Sequence, residues 1–448
     1  MSDLDLFKLL TGIVALLVSA HLLGRVFARC RMPPVIGEIA GGLLFGPSLF
    51  GVLAPRAQAW LFPATGPAAS GLVLIYQLGT LLLMFLAGTQ MRAVFSRRDG
   101  RTVGLVAVVG MAVPFAAGLL LAPVIDLSEL MGRAGDRGAL TLVLACAVAI
   151  TSIPVISRIM LDLGILGTDF ARVVLSVAVL EDIALNVVIA IALGMAGGAG
   201  HDAFGAAALL GIGSGNARVV YHAAVSLGFF GLLAAAGLLA RRLLAARGRT
   251  AADLRSGPVA VQLSLVLAAA ALCIFLGVTP MYGAFVVGLV MGWGRDAMGV
   301  GSEPSQAVNT FATHFFIPVY FAVVGLRLDL VHSFAPLLTV AFIAFACVVK
   351  AGSVYAGARW AGCAPVKSLN LAVAMNARGG PGIVLATLSY DAGIVNATLF
   401  TTLVLTAVIT SLMAGNWLET AIRRGLLERT PLLTATGSGS PAVEPDAA

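Results

Sequence analysis

The chain has 448 residues, of which 59% are hydrophobic and only 11% charged, and its net charge is +7. So few polar side chains cannot cover a water-soluble fold of this length, which leaves a polytopic helical membrane protein. The surplus of Lys and Arg falls in short loops between apolar segments, so topology explains the positive charge and nothing calls for a nucleic-acid partner.

Apolar stretches fit to cross a hydrocarbon core of about 30 Å recur along the chain, and thirteen are predicted. The first six run Leu6 to Phe27, Pro33 to Gly51, Leu72 to Met91, Thr102 to Pro123, Ala139 to Leu161 and Ala171 to Met195. The remaining seven run Val219 to Ala240, Val259 to Val278, Met281 to Trp293, Phe311 to Leu326, Phe334 to Ala358, Ser368 to Leu388 and Val395 to Trp417. The ninth is short and reads as a broken or re-entrant element. With the N-terminus outside, inward loops carry twenty Lys and Arg against six on the other side, which predicts an N-out, C-in topology in the cell membrane. Lys350 and Arg378 fall inside spans. The acidic start, Met1 to Leu6, lacks the basic region of a cleaved signal, so the first segment is expected to persist as a helix. Cys30, Cys146, Cys273, Cys347 and Cys363 lack CxxC spacing and read as small packed residues, and residues 431–448, rich in Gly, Ser, Pro and Ala, read as a disordered tail.

Proline interrupts the fifth segment at Ala149-Ile-Thr-Ser-Ile-Pro-Val-Ile, where Pro154 lacks an N–H and frees the carbonyl of Ile150. In the twelfth, Asn376-Ala-Arg-Gly-Gly-Pro-Gly-Ile places Pro381 after Gly379 and Gly380 and frees the carbonyl of Ala377. Unpaired backbone at membrane depth survives only against protein or a watered cavity, so both segments are predicted to be discontinuous helices. They lie seven segments apart and so cross in opposite directions, the pattern of an inverted repeat with a midplane site. The sixth segment carries Glu181 and Asp182 mid-span, and a buried ionisable pair marks a functional site. The two side chains leave the helix about 100° apart and therefore need different partners. Thr151 and Ser152 flank the first break and offer hydroxyl and carbonyl oxygens suited to an alkali cation. Lys350 lies too deep in the eleventh segment to snorkel easily, and Arg378 at the second break is expected to balance the negative ends of half-helices. His21, His222 and His314 lack ligand spacing, so no cofactor or resident metal is expected.

Several ordered motifs resemble the monovalent cation:proton antiporter family, in the branch of sodium/proton and potassium/proton exchangers. They are Pro33-Pro-Val-Ile-Gly-Glu-Ile-Ala-Gly-Gly-Leu-Leu-Phe-Gly-Pro-Ser, Gly79-Thr-Leu-Leu-Leu-Met-Phe-Leu-Ala-Gly, Thr151-Ser-Ile-Pro-Val-Ile-Ser-Arg-Ile-Met and Ser176-Val-Ala-Val-Leu-Glu-Asp-Ile-Ala. Phe315-Phe-Ile-Pro-Val-Tyr-Phe-Ala-Val-Val-Gly-Leu-Arg-Leu-Asp-Leu and Met375-Asn-Ala-Arg-Gly-Gly complete the set, so the likeness covers residues 6 to about 425. It implies an all-helical fold of inverted repeats over residues 1–430. Core helices would span about 102–195 and 334–417, dimer-forming interface helices about 6–91 and 259–326, and a linking helix about 219–240. Asp182 matches the family's ion-binding aspartate, shared between cation and proton. Glu181 stands where electrogenic members have aspartate and electroneutral ones asparagine, and it departs from both. Lys350 matches the lysine that pairs with that preceding carboxylate, and such a pair can break as cation binds and release a further proton. Asn376 is expected to hydrogen-bond across the second break. Glu38 belongs to the second-segment signature and is expected to tie interface helices, while Gln90 replaces a common acidic residue.

The implied function is exchange of Na+ or K+ for protons by a homodimer in the bilayer, with net charge movement. A cation channel or regulated potassium efflux protein of related fold is the alternative. An intramembrane aspartyl protease would need a second aspartate, and Asp391 follows Tyr390 without a GxGD context.

Overall fold

Inside hydrocarbon every backbone N–H and C=O needs a partner within the chain, and helices supply it. The computed structural model describes residues 1–29, 34–90, 100–165, 168–196, 206–210, 259–277, 280–292 and 306–427, with scattered positions between 220 and 235. Long helices occupy the first four expected segments as α1 (Asp3–Arg29), α2 (Pro34–Phe45), α3 (Pro67–Gln90) and α4 (Gly100–Leu121). The fifth segment is two helices, α5 (Arg137–Ala149) and α6 (Ile153–Asp162), and the sixth is α7 (Asp169–Ala196). Then come α8 (Val259–Phe275), α9 (Pro280–Gly292), α10 (Ile317–Leu326) and α11 (Pro336–Trp360). The twelfth is again two helices, α12 (Pro365–Ala374) and α13 (Gly379–Asp391), before α14 (Ala397–Arg423). Most of the seventh segment, the tail, Cys30, His222 and the side chain of Gln90 lie outside the described residues.

Three segments differ in detail from a plain helix. The second stops at Phe45, because Gly46 and Pro47 end its ladder, and a short helix Phe50–Leu53 follows. Within the tenth, a π turn at Ala312–Phe316 precedes α10, whose second residue is Pro318. That proline cannot donate to the preceding turn, and a widened turn absorbs the mismatch. In the fifth and twelfth the break precedes the proline: Pro154 is the second residue of α6 and Pro381 the third of α13. The first turn of a helix has no use for its own N–H donors, so proline is tolerated there and starts the second half-helix.

The helices sort into two packing groups. In the first, α3 packs along α9, and α2 lies between α1 and α10. Close approach there depends on small residues: a Cβ at Gly42 of α2 would overlap the backbone of Ala322 of α10. Glu38 belongs to this group, and one of its carboxylate oxygens is buried without a partner among the described residues. In the second group α4 packs on α11, on α5 and on α7, while α14 packs on α11, α12 and α13. Helices α4 to α7 and α11 to α14 thus repeat one pattern: a helix, a broken pair, a helix. The loops of the two repeats are joined where Gly132 N–H donates to Ile394 C=O (2.9 Å) and Asn396 N–H to Leu130 C=O (3.1 Å).

Candidate functional site

Each break leaves a few residues outside the helices, extended at Ile150 and turn-like at 375–378, and each break satisfies part of the other. The Thr151 hydroxyl donates to Met375 C=O at 2.8 Å. Ser152 N–H donates at 2.6 Å to Ala377 C=O, the carbonyl that Pro381 frees. Ser152 Oγ accepts from Val155 N–H at 3.3 Å and so caps α6. Gly379 N–H, at the start of α13, is taken by Ser411 Oγ at 3.0 Å. Gly379 has φ of +32°, and a Cβ there would stand 2.8 Å from Ser152 Oγ, so the crossing needs glycine. Gly380 follows it in the first turn of α13.

Arg378 is buried where the two breaks meet. Its guanidinium donates to Ala147 C=O (3.2 Å), Val148 C=O (3.2 Å) and Ala346 C=O (2.9 Å), and to Asn376 C=O and Oδ1 (both 3.2 Å). Two of those acceptors lie in the last turn of α5, so a fixed positive charge meets the negative end of that half-helix. Asn376 Nδ2 donates within its own half of the chain, to Ala372 C=O at 3.0 Å, while its Oδ1 receives Arg378.

Glu181 and Asp182 leave α7 in different directions. Glu181 is fully buried, with Lys350 Nζ 2.8 Å from each of its carboxylate oxygens. Lys350, equally buried on α11, also donates to Gly110 C=O (2.9 Å) and to Ala149 C=O (2.6 Å), the last residue of α5. An ion pair in an apolar surround persists only with such added hydrogen bonds, since desolvating both charges costs several kcal/mol per ion. Asp182 turns the other way and lines a cavity of about 30 Å³ with Ile150, Asn186, Pro381, Met84 of α3 and Phe285 of α9. The cavity lies where the two packing groups face each other and admits a water-sized occupant.

The structure therefore brings Glu181, Lys350, Thr151, Ser152 and Arg378 into one buried cluster around the breaks, with Asp182 on its cavity side. Thr151 and Ser152 do not line the cavity. Ile150 does, and its carbonyl accepts no hydrogen bond among the described residues. Asn186, which donates to Asp182 C=O at 2.7 Å, was not singled out in the sequence, although its i+4 spacing from Asp182 puts it on the same helical face. Gly110 had no signal, since its contribution is a backbone carbonyl. Glu38 lies away from the cavity lining, and Asp391 sits at the end of α13, paired with Arg327. Described His, Cys, Asp and Glu residues include no group of three able to hold a metal ion.

The family model for transmembrane sodium/hydrogen exchangers matches residues 13–424. The chain is 28% identical over 417 residues to the Na(+)/H(+) antiporter NhaS4 of Synechocystis, covering 92% of this chain and 96% of that protein. It is 26% identical to the K(+)/H(+) antiporter 1 of Saccharomyces cerevisiae over 88% of this chain, which spans 44% of that longer protein. The structure of the sodium proton antiporter MjNhaP1 from Methanocaldococcus jannaschii shares the fold, with a TM-score of 0.61 at 12% identity, over 95% of this chain and 100% of that one.

Proposed function

The chain belongs to the sodium/hydrogen exchanger family, and on that footing we propose that it exchanges Na+ or K+ for protons by alternating access, with Asp182 as the seat both ligands share. The observation that carries this reading is the divergence of the adjacent carboxylates: Asp182 faces the cavity between the packing groups, while Glu181 is held by Lys350. An alkali cation needs several oxygens. Asp182 offers a carboxylate at the cavity, and Ile150, whose carbonyl Pro154 deprives of its helical donor, lines it as well. Thr151 and Ser152 hold the crossed breaks in place around that seat. A proton neutralises the same carboxylate, so each ligand displaces the other.

In this reading α4 to α7 and α11 to α14 form the moving core, and the group containing α1 to α3 and α8 to α10 forms the interface through which two copies pair. The loop charges assign the N-terminus to the outside and the C-terminus to the cytoplasm. Glu181 and Lys350 cancel while paired. Net charge moves when a cation entering beside Asp182 weakens that pair and Lys350 gives up a proton, so that more than one proton exchanges per cation.

In everted vesicles with an acid interior, adding Na+ or K+ is expected to collapse the pH gradient, and Asp182→Asn is expected to abolish the response. A series across Na+, K+ and Li+ identifies the cation. Absence of any cation-driven proton movement from correctly inserted wild-type protein would overturn the proposal.

A further inference from the structure

Asp391, the last residue of α13, is reached by two groups from the other packing group. Arg327, directly after α10, pairs with its Oδ1 at 2.5 Å, and the Tyr76 hydroxyl of α3 donates to its Oδ2 at 3.1 Å. The Arg327 guanidinium also lies 4.6 Å from the Tyr76 ring centre, and Tyr76 stacks on Tyr320 of α10 at 5.2 Å. Tyr76 is only 1% exposed, whereas Arg327 and Asp391 keep 23% and 36% of their side-chain surface. This is the rim of a seam, with its aromatic part inside. The Arg327–Asp391 pair bridges the two groups, while Glu181–Lys350 and Arg172–Asp169 each lie within one.

The cluster also stands at one end of the Asp182 cavity. Leu388 lines that cavity, and Asp391 is three residues further along α13, about 5 Å on. Met84 lines it too, and Tyr76 is eight residues back along α3, about 12 Å toward the same face. From Asp182 the cavity lining on α7 continues through Leu185 and Ile189 in that direction.

We propose that Tyr76, Arg327 and Asp391 form a latch that closes the path from Asp182 to the face where α10 and α13 end. This rests on the alternating-access reading. The latch is made while that face is shut and must break for the core to expose the seat there. It acts by setting how often that face opens, and it touches neither cation nor the carboxylates that bind it.

The test measures modification of Leu388→Cys by an impermeant maleimide in membrane fragments with both faces exposed, with the parent chain labelled in parallel as background. Arg327→Gln and, separately, Tyr76→Phe are expected to raise the rate about threefold, the scale of a half-exposed ion pair or hydrogen bond. Exchanging the pair, Arg327→Asp with Asp391→Arg, is expected to bring the rate back down. Equal rates in all backgrounds overturn the latch. A second arm joins Arg327→Cys to Asp391→Cys with a cleavable bifunctional thiol reagent. Exchange is expected to stop and to return on cleavage, and continued exchange by chains shown to be cross-linked overturns the latch. Failure of wild-type protein to exchange any alkali cation for protons would instead defeat the reading of function beneath it.

Discussion

Glu181 and Asp182 differ by one methylene and share a peptide bond, yet the helix sends them to unlike surroundings. Lys350 gives Glu181 two of its four hydrogen-bonding contacts and spends the others on Gly110 and Ala149 carbonyls. Removing the lysine alone strands a buried carboxylate, so Lys350→Met is expected to destabilise the protein by about 3 to 5 kcal/mol. Thermal unfolding in detergent checks this. Adding Glu181→Gln removes the stranded charge and is expected to recover most of the loss, because a buried pair stabilises mainly relative to its half-removed form. The pairing was legible through the family resemblance, which matches Lys350 to a lysine that pairs with the preceding carboxylate, and the cost of a lone charge deep in an apolar run agrees with it. The support from Gly110 was not legible, because any residue carries a carbonyl and only the packing of α4 on α11 brings this one within reach.

At the scale of elements, proline announced both broken helices, and the opposite sense of the two segments announced their pairing. The breaks lie at residues 150–152 and 375–378, ahead of each proline, because proline fits the first turn of the half-helix that follows. Thr151 and Ser152 illustrate a limit: their polarity marked the site, but their donors turn to the second break, a partner more than two hundred residues away in sequence. The crossing has no room for a Cβ at Gly379. Gly379→Ala adds a methyl against Ser152 and forces a left-handed backbone on an L side chain, a strain of about 1 to 3 kcal/mol. Cation-driven exchange in vesicles is expected to fall at least tenfold, roughly the low end of that range, while the protein still inserts and runs as wild type on a sizing column.

Across the whole molecule, the packing of α4 to α7 with α11 to α14 leaves the Asp182 cavity at the boundary with α3 and α9. Electrogenic exchange predicts a rate that responds to an imposed membrane potential. With K+ and valinomycin setting that potential, Na+-driven exchange by wild-type protein is expected to change with it, and the Glu181→Gln, Lys350→Met double variant is expected not to. Insensitive wild-type exchange would make the buried pair a static prop. The helical segments other than the seventh were readable from hydropathy, because lipid demands apolar runs with their backbone bonds made internally. The grouping of helices was not, because lipid tails and neighbouring helices are equally apolar and only small residues such as Gly42 mark a close contact.

The duplicated architecture is chemically asymmetric. Two prolines deprive one carbonyl apiece of its helical donor; that of Ala377 is taken up by Ser152, while Ile150 is a residue of the cavity lining. Mid-way along α14, the counterpart of α7, Thr406, Thr410 and Ser411 donate to carbonyls of their own helix where α7 carries acids. Gene-level symmetry would supply twin berths, one in each half. Here the hydroxyls of α14 are turned to its own backbone, so the acids of α7 have no counterpart on the helix that mirrors it.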